Sequence, residues 1–203
     1  VLTNIHYLIK TAQSSQMAEL LNKNGPGLLE TMQEQLGYMN KIVSDLQDYA
    51  RPLKTELAET DLRRLIDDAL SITNVPETID VHVEIEENAE QLIVDKALMK
   101  RVFANLITNA VQAMPDGGLL TIRASETDKI VLVSIHDTGV GIPKENLDKV
   151  FTAMFTTKAR GQGFGLPVCK RIMEAHGGTI SLESTVGKGT TILIRLPIRE
   201  ETN

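Results

Sequence analysis

Asp95-Lys-Ala-Leu-Met-Lys-Arg-Val-Phe-Ala-Asn105-Leu-Ile-Thr-Asn109-Ala-Val-Gln-Ala-Met114 reads as one amphipathic helix, and the rest of the chain arranges itself around it. Val102, Phe103, Leu106, Ile107, Ala110 and Val111 supply an apolar stripe for a core. Asn105 and Asn109 interrupt it. Asn inside a helix costs roughly half a kcal/mol or more against Ala, because its short amide competes for nearby backbone groups. Their i, i+4 spacing puts both amides on one helix face. Two readings stand: each amide satisfies a neighbouring backbone group, or the pair forms a polar edge that holds a ligand. A side-chain amide oxygen is a neutral, hard donor, suited to a Mg²⁺ that arrives with phosphates and keeps several waters.

Working outward, the 203 residues are 42% hydrophobic, enough for one large domain or an ordinary domain with an accessory element. With net charge −6, a pI near 5.3 and 3% aromatic residues, the chain lacks the basic face and stacking positions of a nucleic-acid binder, and no nucleic-acid partner is expected. The single cysteine, Cys169, leaves no internal disulfide or cysteine-rich zinc site; in its apolar helical context it reads as core rather than as a nucleophile. No apolar run approaches the roughly 20 residues that span a bilayer, and no signal peptide is recognisable, so no membrane contact is expected within the chain and a cytoplasmic location is. Because it begins Val-Leu rather than Met, the chain is expected to be a fragment, and the intact protein can carry an anchor.

Upstream, Leu2, Ile5, Leu8, Ile9, Ala12, Met17 and Leu20 recur at helical intervals before Asn22-Lys-Asn-Gly-Pro-Gly27 imposes a bend. Leu29, Met32, Leu36, Met39, Val43, Leu46 and Ala50 then step by three and four, the seam of a coiled coil or four-helix bundle. Residues 1–52 are therefore expected to form a helical hairpin that pairs with a second copy; the alternative is a hairpin folded back onto its own domain. Arg51-Pro52 ends the second helix, residues 53–59 read as a linker, and residues 60–203 as a second domain.

In that domain Thr60 or Asp61 can cap a helix to about Thr73. Ile79, Val81, Val83 and Ile85 alternate as a half-buried strand, with Gln91 to Val94 as its short partner. Beyond the Asn-bearing helix, Leu119 to Ser125 and Lys129 to His136 read as a strand pair joined by a polar turn. The second strand ends in Asp137-Thr-Gly-Val-Gly-Ile-Pro143. An ionised carboxylate is acceptor-only, so a partly buried Asp137 can take a hydrogen bond from the exocyclic amine of adenine and reject guanine, while Gly139 and Gly141 let backbone approach a flat base. An ordinary Asp-Thr-Gly loop would look the same. Lys144 to Phe151 suggests a short helix, and Thr152 to Gly165 a long Gly-, Thr- and Lys-containing loop of the kind that often serves as a lid. Gly161-Gln-Gly-Phe-Gly-Leu166 then opens a helix to about Ala175, whose amides and dipole suit phosphates, with Lys158 as an added cation. Its flanks match neither a Walker loop nor a dinucleotide fingerprint. Thr179 to Ser184 and Thr190 to Pro197 read as closing strands.

Four blocks thus stand in order: Asn105-Leu-Ile-Thr-Asn109-Ala-Val-Gln-Ala-Met-Pro, Asp137-Thr-Gly-Val-Gly-Ile-Pro, Gly161-Gln-Gly-Phe-Gly-Leu and Gly187-Lys-Gly-Thr190. As a set they resemble the N, G1, G2 and G3 boxes of the sensor histidine protein kinases of two-component systems, in the GHKL superfamily with DNA gyrase, Hsp90 and MutL. Phe151 to Lys158 resembles the intervening F box, and Asp45-Leu-Gln-Asp-Tyr-Ala-Arg-Pro52 the end of the family's dimerisation and phosphoacceptor hairpin. The resemblance implies an α+β chain: a helical hairpin forming a dimeric four-helix bundle, then a Bergerat-type α/β sandwich with a mixed sheet, ATP lying between helix and lid. It implies that Asn109 holds Mg²⁺, that Asn105 supports metal and phosphates, and that Asp137 binds the adenine amine with help from water and Thr190. Gly139 and Gly141 would line the base; Lys158 and the amides around Gly161, Gly163, Gly165 and Leu166 would hold the triphosphate. Asn105 and Lys158 are the candidate catalytic residues. Relatives that hydrolyse ATP place a Glu base where Asn105 stands, so the site is expected to transfer phosphoryl to a protein histidine and onward to an aspartate on the receiver domain of a response regulator.

Two departures qualify the resemblance. Thr152-Ala-Met154 replaces the frequent Glu-Pro-Phe of the F box, and the phosphoacceptor His is expected upstream of Val1, only the tail of its motif standing at Val1-Leu2-Thr3. His6 lacks the motif's neighbours and reads as a helix-surface residue. His82 and His136 fall in strands, and His176 ends a helix before Gly177. The other readings are a degenerate kinase acting as a dimeric nucleotide-binding switch, favoured by the altered F box, and a hydrolytic GHKL ATPase, opposed by Asn105.

Overall fold

The computed structural model of the protein describes residues 53–157 and 163–198, together with the helical positions Gln33, Leu36, Gly37 and Leu46. The chain divides into units Val1–Gln47 and Asp48–Asn203. The expected hairpin and its pairing with a second copy lie outside the described residues, as does His6.

The second unit begins with strand β1 (Ala58–Asp61) and helix α1 (Leu62–Thr73). Asp61 caps α1 by accepting from the Arg64 N–H at 2.9 Å, and Asn74 in the left-handed conformation stops it. After β2 (Ile79–Ile85) and one 3₁₀ turn comes β3 (Gln91–Val94), then α2 (Lys96–Ala113), with Asp95 as its cap through the Leu98 N–H at 3.0 Å. Strands β4 (Gly118–Thr127) and β5 (Ile130–Asp137) form a hairpin. Its two turn residues, Asp128 and Lys129, both have positive φ, which matches the twist of the flanking strands. A single turn, α3 (Lys144–Leu147), precedes α4 (Gly165–Ala175), β6 (Thr179–Thr185) and β7 (Gly189–Pro197).

The sheet is mixed, in the order β2-β4-β5-β7-β6, with β2 parallel to β4 and every other neighbour antiparallel. Along β4, β5 and β7 one face carries Leu120, Ile122, Ala124, Val131, Val133, Ile135, Ile192, Ile194 and Leu196, all buried. Helices α1, α2 and α4 bring Leu65, Ile66, Phe103, Leu106, Ile107, Ile172 and Met173 into the same core. The opposite face carries polar and charged residues such as Asp80, Glu84, Arg123 and Arg195, and Arg123 pairs with Glu84 at 2.7 Å. Helices on one side of a strand set and polar residues on the other is the two-layer sandwich that the resemblance implies, and it agrees with the half-buried strands read from alternation.

Two expectations are corrected. Gln91–Val94 pairs with Ala58–Asp61, antiparallel, and not with β2, so residues placed in the 53–59 linker begin a two-stranded ribbon. Local pattern cannot choose a strand's partner, which is set by contacts between residues far apart in the chain. The helix expected from Lys144 to Phe151 ends at Leu147.

Candidate functional site

The register of three strands builds one end of the site. Asp137 on β5 stands opposite Thr190 on β7, which stands opposite Ser184 on β6. Alternation puts all three in phase with Ile135, Ile192 and Leu182, so the helix-covered face ends in a polar row. Asp137 is only 6% exposed. Its Oδ1 accepts the backbone N–H of Gly139 at 2.9 Å and of Thr190 at 3.3 Å, which satisfies part of a buried acceptor and fixes its direction.

The loop after Asp137 is braced on three sides. The Val140 N–H donates to Ala113 O at the end of α2, the Ile142 N–H to Ser184 Oγ, and the Gly187 N–H of the β6–β7 turn to Val140 O. Gly139 is needed because a Cβ there would overlap the Ala113 carbonyl, and Gly141, with φ of 71°, lies against the Thr185 carbonyl. These glycines therefore answer to the protein's own backbone as well as to any base, a demand that the sequence does not display. Ser184 belongs to none of the four sequence blocks. The signal was the inward phase of Ile180 and Leu182, which continues to it.

The other end comes from helix packing. Asn105 and Asn109, both half-buried on α2, face the first turn of α4: a Cβ on Gly165 would lie 3.9 Å from Asn105 Oδ1 and from Asn109 Nδ2. Among the described residues no side chain caps α4, and Pro167 in its first turn carries no N–H, so Gly165 and Leu166 supply the amides at this positive end. One turn on, the thiol of Cys169 bonds Asn105 and approaches Val102 O at 3.9 Å. Burial pushes that thiol up to about 12, so it stays protonated and serves as packing, as expected.

Gly163, with φ of 70°, accepts the Met154 N–H on its carbonyl at 3.0 Å and so ties the two sides of the loop together. Met154 itself is strained at φ of 68° and is 71% exposed, whereas Ala153 packs on the core. Lys158 and Gly161 lie outside the described residues. The site candidates that the structure describes form two groups, Asp137, Gly139, Gly141 and Thr190 at the strand ends, and Asn105, Asn109, Gly165 and Leu166 where α2 meets α4, while Gly163, two residues before Gly165, lies against Met154 and Phe155.

The histidines separate by environment. His82 is exposed, and His136 Nδ1 shares a hydrogen with Thr191 Oγ1 at 2.9 Å. His176 does end α4, but it is also 2% exposed and joins two helices. Its Nδ1 meets Ile172 O at 2.8 Å and so carries the proton, leaving Nε2 to accept the Asp95 N–H at 3.0 Å. Asp95 in turn stands at the start of α2. Burial raises its carboxyl, yet the N–H groups of Leu98, Glu56 and Ala97 bring it below the usual aspartate value.

A family profile described as histidine kinase-, DNA gyrase B-, and HSP90-like ATPase matches residues 93–200. The sensor histidine kinase ZraS of Escherichia coli (strain K12) is 34% identical over 174 residues, which make up 84% of this chain and 37% of ZraS. The catalytic domain of histidine kinase ThkA is 30% identical and superposes with a TM-score of 0.64 over 70% of this chain and 96% of that one. ThkA in complex with the response regulator protein TrrA shares the fold, at 23% identity and a TM-score of 0.73, over 100% of this chain and 59% of that one. The chain belongs to the histidine kinase-, DNA gyrase B- and HSP90-like ATPase family, on its histidine kinase branch, and its fold is the Bergerat-type α/β sandwich. It spans 37% of the length of ZraS. Among the described residues no helix is long and apolar enough to cross a membrane.

Proposed function

We propose that the chain is the kinase core of a two-component sensor, which binds ATP with Mg²⁺ and transfers the γ-phosphoryl group to a histidine, from which it passes to an aspartate of a response-regulator receiver domain. The observation that carries this reading is the Asn pair of α2 facing the first turn of α4, with an anchored carboxylate, Asp137, at the end of the same sheet.

In this reading Asp137 accepts the exocyclic amine of adenine, with Thr190 and a water beside it, and Gly139 and Gly141 line the base. The Gly165 and Leu166 amides, with those at Gly161 and Gly163, hold the phosphates alongside Lys158. The Asn109 amide oxygen fits a hard cation that brings phosphate ligands of its own, and Asn105 supports both. Mg²⁺ there would neutralise charge on the phosphates. No side chain in the N box is a general base, so the residues position a phosphoryl group for in-line transfer rather than activate water, in agreement with Asn105 where hydrolytic relatives carry Glu. The helical hairpin of residues 1–52 would pair two copies, in the cytoplasm, and ThkA, crystallised with a response regulator, supplies the precedent for that partner.

The test is label transfer from γ-labelled ATP with Mg²⁺ to a separately made helical hairpin bearing the acceptor histidine, with Asn109→Ala as control. Acid-labile, base-stable label that disappears in the control supports the kinase. ATP binding without transfer overturns it in favour of a nucleotide-binding switch, and rapid phosphate release without labelled protein in favour of an ATPase.

A further inference from the structure

We propose that Ser184 is a positioning and specificity residue for the nucleotide base, acting through Thr190; this rests on the adenine-site reading above. Ser184 lies on the edge strand β6, outside the four sequence blocks, yet its hydroxyl meets three partners. It accepts the Ile142 N–H at 2.8 Å, lies 2.9 Å from Gly189 O, and lies 2.9 Å from Thr190 Oγ1. One side chain therefore ties the loop that follows Asp137 to the turn that delivers Thr190.

Proton counting decides the polarity. A hydroxyl has one proton to give. Gly189 O can only accept, so the contact with it consumes the Ser184 proton. The contact with Thr190 then requires Thr190 to donate. With its own proton turned toward Ser184, Thr190 Oγ1 offers only lone pairs to anything else. Asp137, linked to the Thr190 backbone N–H, is likewise an acceptor. The row Asp137–Thr190–Ser184 is thus ordered so that its two ligand-facing groups both demand a donor. Adenine presents an amine at that position and matches, whereas a 6-oxo purine presents an acceptor and does not. A site that selects by hydrogen-bond polarity discriminates more sharply than one that selects by shape, because the wrong ligand leaves buried polar groups unpaired.

Removing the Ser184 hydroxyl frees Thr190 to rotate and donate, and leaves the Ile142 N–H without its acceptor. The test is calorimetric titration of the full chain with ATP, inosine triphosphate and inorganic tripolyphosphate, for the wild type, Ser184→Ala and Ser184→Thr, with thermal melts of all three. We expect Ser184→Ala to bind ATP about tenfold more weakly, roughly the factor of one lost hydrogen bond, and inosine triphosphate with little change, so that the preference for ATP contracts. Tripolyphosphate binding should not move, and Ser184→Thr, which keeps the hydroxyl, should restore the preference. An unchanged ATP-to-inosine-triphosphate ratio in Ser184→Ala, or equal weakening of all three ligands, overturns the proposal. A wild type that shows no preference for ATP overturns the adenine site itself, and this inference with it.

Discussion

The two ends of the site are built by different means. At the strand ends, the sheet register sets Asp137, Thr190 and Ser184 side by side, and backbone N–H groups of residues 139, 140, 142 and 190 bond Asp137 Oδ1, Ser184 Oγ and Ala113 O. Where α2 meets α4, the Asn105 and Asn109 amides face Gly165 through the packing of two helices on a shared apolar core. A register cannot slip by less than one residue, and a one-residue slip turns every side chain to the other face. Helix packing adjusts continuously, by rotation and small shifts. Under the proposed function, the strand end would choose the ligand and the helix junction would follow the phosphates through the reaction.

The two glycines make the same contrast. Gly139 has no room for a Cβ, because Ala113 O occupies the space, while a Cβ on Gly165 would make only ordinary contacts at 3.9 Å. The fold itself requires the first. The second is permitted by the fold, so a requirement for it would come from the ligand.

The sharpest way to separate the two ends is Asn109→Ala. Phosphoryl transfer should fall by about 10²-fold or more while ATP binding falls far less, because the lost contact serves the reacting phosphate. Single-turnover labelling set beside equilibrium binding reads the split, and equal losses in both would erase the proposed division. Asp137→Asn should do the reverse. It keeps an acceptor for the two N–H groups but turns an amide donor toward the adenine amine, and ATP affinity should drop by about 10- to 100-fold in a folded protein. Loss of transfer with binding intact would contradict it.

Gly139→Ala should destabilise the domain by roughly 1–3 kcal/mol, since backbone on both sides must move. Gly165→Ala should leave stability unchanged or raise it by up to about 1 kcal/mol through helix propensity, while weakening triphosphate binding. Chemical denaturation with parallel tripolyphosphate titration checks both, and matching stability losses would show that Gly165 is a structural residue after all.

The smallest effect concerns pH. Folding holds the Asp95 carboxyl below its ordinary value, so the folded state favours its ionised form. Its contribution is complete above the unfolded pKa and is lost as pH falls through the lower folded one. Asp95→Asn should therefore be less stable than the wild type at neutral pH, by roughly 0.3–1 kcal/mol for the negative charge lost at the helix N-terminus, and the gap should close on acidification. A gap that widens in acid would reverse the assignment. The same cap touches His176, whose Nε2 accepts the Asp95 N–H, so this measurement also probes the junction between α2 and α4.

Much of this molecule was legible in the chain itself. Asn105 and Asn109 share a helix face because 3.6 residues make a turn, and Asp137 ends its strand because an apolar alternation runs into glycines. Ordered blocks of such residues were enough to identify the family. Ser184 and His176 were not legible as site and junction residues, because their partners Ile142, Gly189 and Asp95 are remote or belong to other elements. The pairing of β3 with β1 escaped for the same reason.

What the sequence by itself determined was therefore each element, its inward face and the chemistry that face carries, since periodicity and side-chain type are properties of neighbouring residues. Only the tertiary structure decided which strand lies beside which, that Gly139 must clear Ala113 O while Gly165 need not clear anything, and that one serine hydroxyl orients Thr190. Those facts depend on contacts between residues far apart in the chain, which local pattern does not encode.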